Sequence, residues 1–565
     1  MRIRRLLTVN WVLLLAPALV LALIADTTKL APWAWICSLL LSALTLALPM
    51  LLVRNWRTLF LLHLPLLSVS PFFIWYVLKF SAPPDENAFA VVLTSPPQEF
   101  FSFLTLFRLQ LPLLICAAAL LAYTAVAIGL GRRAIPPDQR RTVTWLAVPM
   151  LVLLLCMPSK SPRGLEVDIG ENIRSYLTSS YPLGGLVSVV GGIEGNAHAW
   201  GFFEPPQAYD ASARFDSATP RTHILVIGES ARADRFHLLG YQRQTTPELE
   251  RLAGLLAFTS AYATSNLTSL AVPMLMNGLS PASYSSQAIR GNLIDLANEA
   301  GYFTAWLSNQ ELALYKIFRP RPQVWRQPVD TVNWADSNAT PDDVLLAPLD
   351  EMLKNDRPHK FIVMHTYGSH WDYSLRLPDD GFHFSGQNRE KVVAAMAADP
   401  TGRVAADVYD DTILRTDFVL SQVIQRASRL PGEVTVTYLP DHGEALIAVE
   451  GRATHGFREF NVSELHIPLL FWANNAFRQA HAAQWQALSE RREQVVSQDS
   501  LFHTMASMLG IEFPAHDASR DLTSGAFRPI PLKQLQFRIA GPSNIRRLQD
   551  AIDWPQACKA LHACN

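Results

Sequence analysis

The chain has 565 residues, a formal net charge of -1 and 49% hydrophobic residues, with a positive mean hydropathy. Nucleic-acid binding requires a concentrated basic surface, so this charge balance argues against a nucleic-acid partner. The hydrophobic excess lies in the first 158 residues, which indicates membrane spans.

Five apolar stretches in that region each approach the roughly 20 residues that cross a bilayer as a helix. A cleaved signal peptide is the alternative for the first, but no small-residue cleavage pattern follows it, so we expect a retained anchor. Arginines precede the first stretch and lie between the second and third and between the fourth and fifth. The positive-inside rule therefore places the N-terminus in the cytoplasm and everything after residue 158 outside. The predicted spans are Leu6–Ala25, Ala31–Val53, Leu59–Phe80, Leu111–Leu130 and Thr142–Pro158.

After the predicted spans, residues 159–222 are rich in Gly, Ser, Pro and Ala and predict a linker with short helices. From residue 223 to 565, short β-rich runs alternate with helical patterns, which is typical of a doubly wound, mainly parallel α/β sheet. The predicted strands are His223–Gly228, Tyr302–Ser308, Lys360–Thr366, Glu433–Leu439 and Ile467–Trp472, and the predicted helices are Pro247–Leu256, Asn292–Ala300, Pro341–Lys354 and Val404–Ala427.

Candidate metal ligands follow three of these strands. Glu229 closes the first, His370 follows the third, and Asp441 and His442 close the fourth, with His455 a short loop later. The carboxyl ends of strands border the catalytic crevice in open α/β sheets, and carboxylate and imidazole groups suit zinc. Each residue also has a structural interpretation, as a polar turn, a helix N-terminal acid or a hydrogen-bonded histidine. The combination at several strand ends is what indicates a metal site.

A candidate nucleophile lies before the apolar segment that begins at residue 270, where a helix could start. Four hydroxyls compete for the role: Thr264, Ser265, Thr268 and Ser269. A hydroxyl needs a metal or a base to become nucleophilic, whereas a helix N-terminus favours an attached anion. Helix capping is the alternative for this stretch.

The exported part contains two cysteines, Cys558 and Cys564, which could form a small terminal disulfide or remain two free thiols.

Taken together, the chain resembles the membrane-bound phosphoethanolamine transferases of the alkaline phosphatase and sulfatase superfamily. The resemblance covers nearly the whole chain, and the superfamily implies a sulfatase-like catalytic domain after the spans. It rests on the five apolar stretches and on Gly228–Arg232, Thr268 four residues before Val272-Pro273, Gly368–His370, Tyr409–Asp417, Asp441–Glu444 and His455-Gly456.

The resemblance implies zinc as cofactor, with one site expected and a second left open. The implied zinc ligands are Glu229, Thr268, Asp441 and His442, with Thr268 as the nucleophile. His370 and His455 are implied catalytic contacts to phosphate or to a second zinc. Expected substrate contacts are Asn309, Lys316, His370, His455 and Glu444, with Glu444 orienting His442 or a substrate amine.

The implied reaction moves phosphoethanolamine from phosphatidylethanolamine, through a threonine adduct, to lipopolysaccharide core, lipid A or a periplasmic glucan. It implies a catalytic domain in the periplasm, anchored in a bacterial inner membrane. No cysteines flank Thr268, unlike the lipid A branch, and Trp306–Gln310 is similar to heptose- or glucan-modifying branches. Arg415 stands where relatives tend to have tyrosine.

Two alternatives stay open: transfer of another phospho group such as glycerol phosphate, and a non-catalytic envelope scaffold. A secreted-type sulfatase is disfavoured because no Cys/Ser-x-Pro-x-Arg motif surrounds Thr268. The sequence leaves the oligomeric state open.

Overall fold

The computed structural model describes residues 42–69, 110–130, 133–155 and 208–561, together with positions 11, 14–15, 40, 72–73 and 189–190. Within 208–561 the undescribed positions are 215–217, 285–290, 311–319, 327–340, 387, 452–453, 457–458 and 540–544. The chain divides into two compact units, one comprising 1–95 and 103–196 and the other 96–102 and 197–565.

The described helices of the first unit include α1 (Trp56–Ser68), α2 (Gln110–Leu130) and α3 (Pro137–Leu155), with a 3₁₀ turn at Leu48–Leu51 before α1. Asn55 caps α1 by accepting a hydrogen bond from the Thr58 amide at 2.8 Å. The ring of Phe60 on α1 contacts that of Tyr123 on α2, and Trp56 stacks on Phe60 within α1. Among the described residues, no helix combines the length and the hydropathy needed to cross a bilayer. The five predicted spans therefore stay a prediction.

The second unit is built on an eight-stranded sheet. Its strands are β1 (Arg221–Gly228), β2 (Leu255–Tyr262), β3 (Phe303–Ser308), β4 (Val324–Arg326), β5 (His359–His365), β6 (Glu433–Pro440), β7 (His466–Ala473) and β8 (Val496–Ser497). Their order in the sheet is β4-β3-β5-β1-β6-β7-β2-β8. Five neighbouring pairs are parallel, and β7 is antiparallel to both β6 and β2. The sheet is mainly parallel, as predicted.

The central strands form because their apolar, β-branched runs are buried on both faces, as covered parallel sheets require. All eight residues of β1 are buried, and β6 and β7 are buried except at their first residue. Small antiparallel pairs join Ser212–Ala213 to Ile511–Glu512 and Gln536–Arg538 to Ile545–Arg547.

All five predicted strands are confirmed, with boundaries that differ by two residues or fewer. The prediction of a helix over 247–256 is wrong. A 3₁₀ turn at Leu249–Arg251 leads there into β2. Antiparallel pairing of β2 with β7 supplies backbone hydrogen bonds that the local helical spacing could not reveal.

Helices pack on the sheet and complete the core, which includes Tyr262, Trp306, Phe361 and Phe471. Asn292 begins one helix with a capping box, in which its side chain and that of Asp295 satisfy each other's backbone amides. The helices are α4 (Thr268–Asn277), α5 (Leu293–Glu299), α6 (Leu346–Leu353), α7 (Arg389–Ala398), α8 (Arg403–Ala427), α9 (Ile447–Glu450), α10 (Asn475–Ala480), α11 (Ala482–Glu490), α12 (Ser500–Met508) and α13 (Trp554–Ala560).

Cys558, on α13, is disulfide-bonded, which rules out the free-thiol alternative for this residue. Cys564 lies outside the described residues.

The pKa values of His503, on α12, and His516, which follows α12, are shifted in opposite directions. Burial lowers the pKa of His503 to about 4, and its Nδ1 accepts a hydrogen bond from the Asp517 amide at 3.1 Å. The hydrogen bond with Asp521 raises the pKa of His516. Between pH 6.5 and 4, His503 is protonated in the unfolded chain but stays neutral in the folded protein. The free energy of unfolding therefore falls as the pH falls through this range.

We expect His503→Asn to flatten this acid-side dependence by up to about 1.4 kcal/mol per pH unit, because asparagine keeps an acceptor but does not titrate. Chemical denaturation of the whole protein between about pH 4 and 8 measures the slope. The matched control is His516→Asn. A raised histidine pKa contributes stability that is fully present below about pH 6.5 and is lost above it, so this control should change the pH dependence mainly above that pH. Equal acid-side slopes for wild type and His503→Asn would contradict the prediction.

Candidate active site

The sheet brings three strand ends together at one edge. In the parallel register, Ile227 of β1 is level with His365 of β5, and Gly228 is level with Pro440 of β6. The residues that follow these strands therefore emerge side by side. They include Glu229, Asp441 and His442, all of which are buried.

Thr268 reaches this edge from the N-terminus of α4, of which it is the first residue. Its Oγ1 lies 3.2 Å from His442 Nε2 and 3.4 Å from each oxygen of Glu229. Two of the other candidate hydroxyls, those of Thr264 and Ser265, have described hydrogen bonds to groups other than Glu229 and His442. Thr264 donates to Gln498 at 2.9 Å, and Ser265 accepts from the Leu267 amide at 3.2 Å. The geometry thus favours Thr268 among the competing hydroxyls.

Four potential donor atoms have the spacing of a zinc site. A tetrahedral zinc site with bonds of about 2.0 to 2.2 Å separates its ligand atoms by roughly 3.3 to 3.6 Å. His442 Nε2 lies 3.2 Å from Asp441 Oδ2, 3.6 Å from Glu229 Oε1 and 3.2 Å from Thr268 Oγ1. The donor set, two carboxylates, an imidazole and a hydroxyl, also suits zinc. The residues present therefore fit the metal.

The protonation pattern of the site points to a bound cation. His442 Nδ1 lies 2.7 Å from the Gly443 carbonyl, so the proton belongs on Nδ1 and Nε2 presents its lone pair. Asp441 Oδ2 is buried and accepts no hydrogen bond from any residue that the structure describes. Burial and the neighbouring charge of Asp441 raise the pKa of Glu229 well above its usual range. A cation would relieve this crowding of carboxylates.

His455 lies beside these four donor atoms and forms a wider group with Glu229 and His442. One ligand atom each from Glu229, His442 and His455 lies within 4.8 Å of the others. The rings of His442 and His455 are 4.0 Å apart, and His370 lies 5.7 Å from His455. Asp441 and Thr268 each lie 3.2 Å from His442 Nε2, so we group these two with Glu229 and His442 as the tight four-atom set, which His455 adjoins. His370 and His455 stand where a phosphoryl oxygen or a second cation could reach them.

Glu444 contacts a histidine other than the one that the sequence suggested. Its Oε2 lies 3.2 Å from His455 Nδ1, which leaves Nε2 of His455 to face the cluster. Glu444 is fully buried, and burial raises its pKa to about 8. This placement favours orientation of His455. Substrate contact by Glu444 stays a prediction.

The loop after β5 positions His370. Asp342 accepts hydrogen bonds from the backbone amides of Tyr367 and Gly368 at 2.7 and 2.8 Å, and from Asn309 Nδ2 at 2.9 Å. Asn309 is thus buried and supports the loop that carries His370, and its predicted substrate contact stays untested. Lys316 lies outside the described residues.

Arg415, for which the sequence offered no account, forms an ion pair with Asp343 and lies with its guanidinium 4.5 Å from the ring of Phe418.

Sequence reasoning missed three residues around Glu229. Gln310 Nε2 donates to Glu229 Oε2 at 2.9 Å, and Ser230 Oγ donates to Glu229 Oε1 at 2.8 Å. Tyr409, on α8, donates its hydroxyl to the Ser230 carbonyl at 2.6 Å. Gln310 follows a strand of the same sheet, as Glu229 does, and it ends the segment Trp306–Gln310 that the resemblance singled out, so both signals pointed to its region.

The chain is similar in sequence to a known protein family and to several curated proteins. The sulfatase family profile matches residues 221–511. The chain is 27% identical over 323 residues to phosphoethanolamine transferase EptC of Escherichia coli O18:K1:H7, covering 55% of this chain and 54% of that protein. It is 26% identical over 327 residues to phosphoethanolamine transferase CptA of Salmonella typhimurium, covering 55% and 54%. The chain thus matches about half the length of these curated relatives.

Solved structures share the fold. The integral membrane lipooligosaccharide phosphoethanolamine transferase A (EptA) from Neisseria meningitidis has a TM-score of 0.70 at 20% identity, covering 92% of this chain and 98% of that one. The zinc complex of the C-terminal periplasmic domain of EptC from Escherichia coli has a TM-score of 0.52 at 22% identity, covering 62% and 98%. The resemblance to phosphoethanolamine transferases is confirmed, and the profile match over half of the chain shows that this protein belongs to the sulfatase family.

Proposed function

We propose that the protein is a zinc-dependent transferase that moves phosphoethanolamine from phosphatidylethanolamine to an acceptor in the cell envelope. The observation that carries the proposal is the position of Thr268 Oγ1, at the first residue of a helix and 3.2 to 3.4 Å from His442 and Glu229. The named activity of the EptC and CptA relatives supports the choice of transferred group.

A bound zinc ion would lower the pKa of the threonine hydroxyl and draw charge from a phosphoryl oxygen. Glu229, Asp441 and His442 would hold the ion, with Thr268 as the fourth ligand. Thr268 is the first residue of α4, and the positive end of the helix favours an anionic group attached there.

The reaction proceeds in two displacements at phosphorus. Thr268 Oγ gives its proton to His370 or His455 and attacks, the bond to the diacylglycerol oxygen breaks, and that histidine passes the proton to the leaving oxygen. An acceptor hydroxyl then gives its proton to the same histidine and attacks, the bond to Thr268 Oγ breaks, and the histidine returns the proton to Thr268 Oγ. Two in-line displacements retain the configuration at phosphorus. The substrate contacts proposed beside these histidines are Asn309, Lys316 and Glu444.

The location follows from the sequence and agrees with the relatives. We propose five spans within 1–158, a linker over 159–222 and a periplasmic catalytic domain over 223–565, anchored in a bacterial inner membrane. The fold similarity to an integral membrane protein over 92% of the chain supports this arrangement. Anchoring brings the active site to a lipid donor that seldom leaves the bilayer.

We propose lipopolysaccharide core or a periplasmic glucan as the acceptor, in preference to lipid A. The support is compositional, because Thr268 has no flanking cysteines and the only cysteines after residue 158 are Cys558 and Cys564. Mass spectrometry of envelope lipids and glycans from cells with and without the gene would identify the acceptor by the mass of one phosphoethanolamine.

The test of the activity uses the whole protein in detergent with fluorescent phosphatidylethanolamine. We expect zinc-dependent release of diacylglycerol and a mass increase of one phosphoethanolamine on Thr268. Phosphatidylglycerol serves as the matched donor control. Labelling from that lipid alone would favour glycerol phosphate transfer, whereas a folded protein without zinc or turnover would favour a scaffold.

A further inference from the structure

Besides the Thr268 hydroxyl, which lies 3.4 Å from both oxygens, one further side chain donates a hydrogen bond to each oxygen of the Glu229 carboxylate. Ser230 Oγ donates to Oε1 at 2.8 Å, and Gln310 Nε2 donates to Oε2 at 2.9 Å. All three residues are buried, so water competes little for these bonds. Two bonds on different oxygens stop the carboxylate from rotating about its last bond, and each oxygen keeps a lone pair for another partner.

Ser230 reaches its partners through an unusual backbone. Its φ of 54° lies in the left-handed region, which is costly for a residue other than glycine. Its amide donates to Asp441 Oδ1 at 3.0 Å, and its carbonyl accepts from the Tyr409 hydroxyl at 2.6 Å. The left-handed turn therefore lets one residue contact both carboxylates of the candidate zinc site.

Gln310 is anchored independently of Glu229. The same Nε2 of Gln310 donates to the Thr366 carbonyl at 2.9 Å, and the backbone amide of Gln310 donates to Ser308 Oγ at 2.9 Å. These bonds attach Gln310 to the end of β3 and to the segment that leads to His370. Its side chain consequently cannot follow Glu229 if that carboxylate turns.

We propose that Ser230 and Gln310 are positioning residues that hold Glu229 in a metal-binding orientation and thereby set the zinc affinity of the site. The inference rests on the proposed zinc site. A carboxylate that is already oriented loses less freedom when it binds the metal, and the two donors oppose its repulsion from Asp441. Loss of either hydrogen bond should weaken zinc binding by roughly 10- to 100-fold.

The experiment measures the zinc dissociation constant of the whole solubilised protein by competition with a chromophoric chelator. Ser230→Gly removes the hydroxyl but relieves the left-handed strain, because glycine adopts positive φ readily. We expect this variant to bind zinc roughly 10- to 100-fold more weakly, yet to unfold in excess chelator no earlier than wild type. If Ser230 had only a structural role, zinc affinity and the stability of the metal-free protein would fall together.

Gln310→Met tests the second donor at nearly constant side-chain volume, and the expected loss of zinc affinity is again roughly 10- to 100-fold. Its matched control is Gln323→Met. Gln323 also donates from Nε2 to a backbone carbonyl, that of Tyr302 at 3.0 Å, but has no described bond to Glu229. This control should bind zinc like wild type.

The outcomes separate the two proposals. If wild type binds zinc and both variants bind it equally well, the positioning role is wrong. If zinc affinity falls only in step with lost stability, the role is structural and the inference is again overturned. If wild type binds no zinc, the metal site itself is wrong, and the proposed function falls with it.

Discussion

Thr268→Ala should reduce the release of diacylglycerol from phosphatidylethanolamine by at least about a thousandfold, because the variant lacks the hydroxyl that would carry the covalent intermediate. The measurement is single-turnover release by the whole zinc-loaded protein, with mass spectrometry of the protein to detect the adduct. The variant should bind the lipid and lose the adduct completely.

Two variants control this result. Thr268→Ser keeps a hydroxyl at the first residue of α4 and should retain measurable turnover and form an adduct on serine. Ser269→Ala removes the neighbouring hydroxyl and should leave the adduct on Thr268. An adduct on Ser269, or normal turnover by Thr268→Ala, would show that the nucleophile is misassigned.

Asp441→Asn should have opposite effects on metal binding and on the stability of the metal-free protein. The introduced asparagine carries no charge, so zinc affinity should fall by more than the roughly 10- to 100-fold that follows loss of a group that only orients a ligand. Without metal, the change relieves the repulsion with Glu229 that raises the pKa of that residue. The metal-free variant should therefore resist chemical denaturation better than metal-free wild type.

The geometry makes this substitution conservative in shape. The Ser230 and His442 amides both donate to Oδ1 of Asp441, at 3.0 and 2.7 Å, and asparagine keeps that oxygen. Asp417→Asn is the matched control, since Asp417 is also buried but accepts from the Glu248 and Leu249 amides. It should leave zinc affinity unchanged. Lower metal-free stability in Asp441→Asn would contradict the electrostatic account.

The nucleophile illustrates where sequence reasoning ends. Four hydroxyls stood before one apolar segment, and local pattern could not rank them. The structure separates them by partner, because Thr264 donates to Gln498 whereas Thr268 faces His442 and Glu229. The relevant contacts span 39 and 174 positions along the chain, so only the folded sheet can bring them together.

The supporting residues show the same limit. The sequence suggested that Glu444 orients His442 or a substrate amine, whereas the described contact of its carboxylate is with His455. Gln310 and Tyr409 carry no motif that links them to a metal. Their roles depend on which side-chain atoms meet Glu229 and Ser230, and on the burial that makes these hydrogen bonds count.

The sequence by itself determined the alternation of strands and helices, the mainly parallel sheet and the group of residues at strand ends, because periodicity and strand termini are local properties. It missed β2, whose existence depends on pairing with the distant β7. Tertiary structure alone decided which hydroxyl meets the carboxylates and which side chains hold Glu229. Those relations depend on distances between atoms far apart in the chain, and no local pattern encodes them.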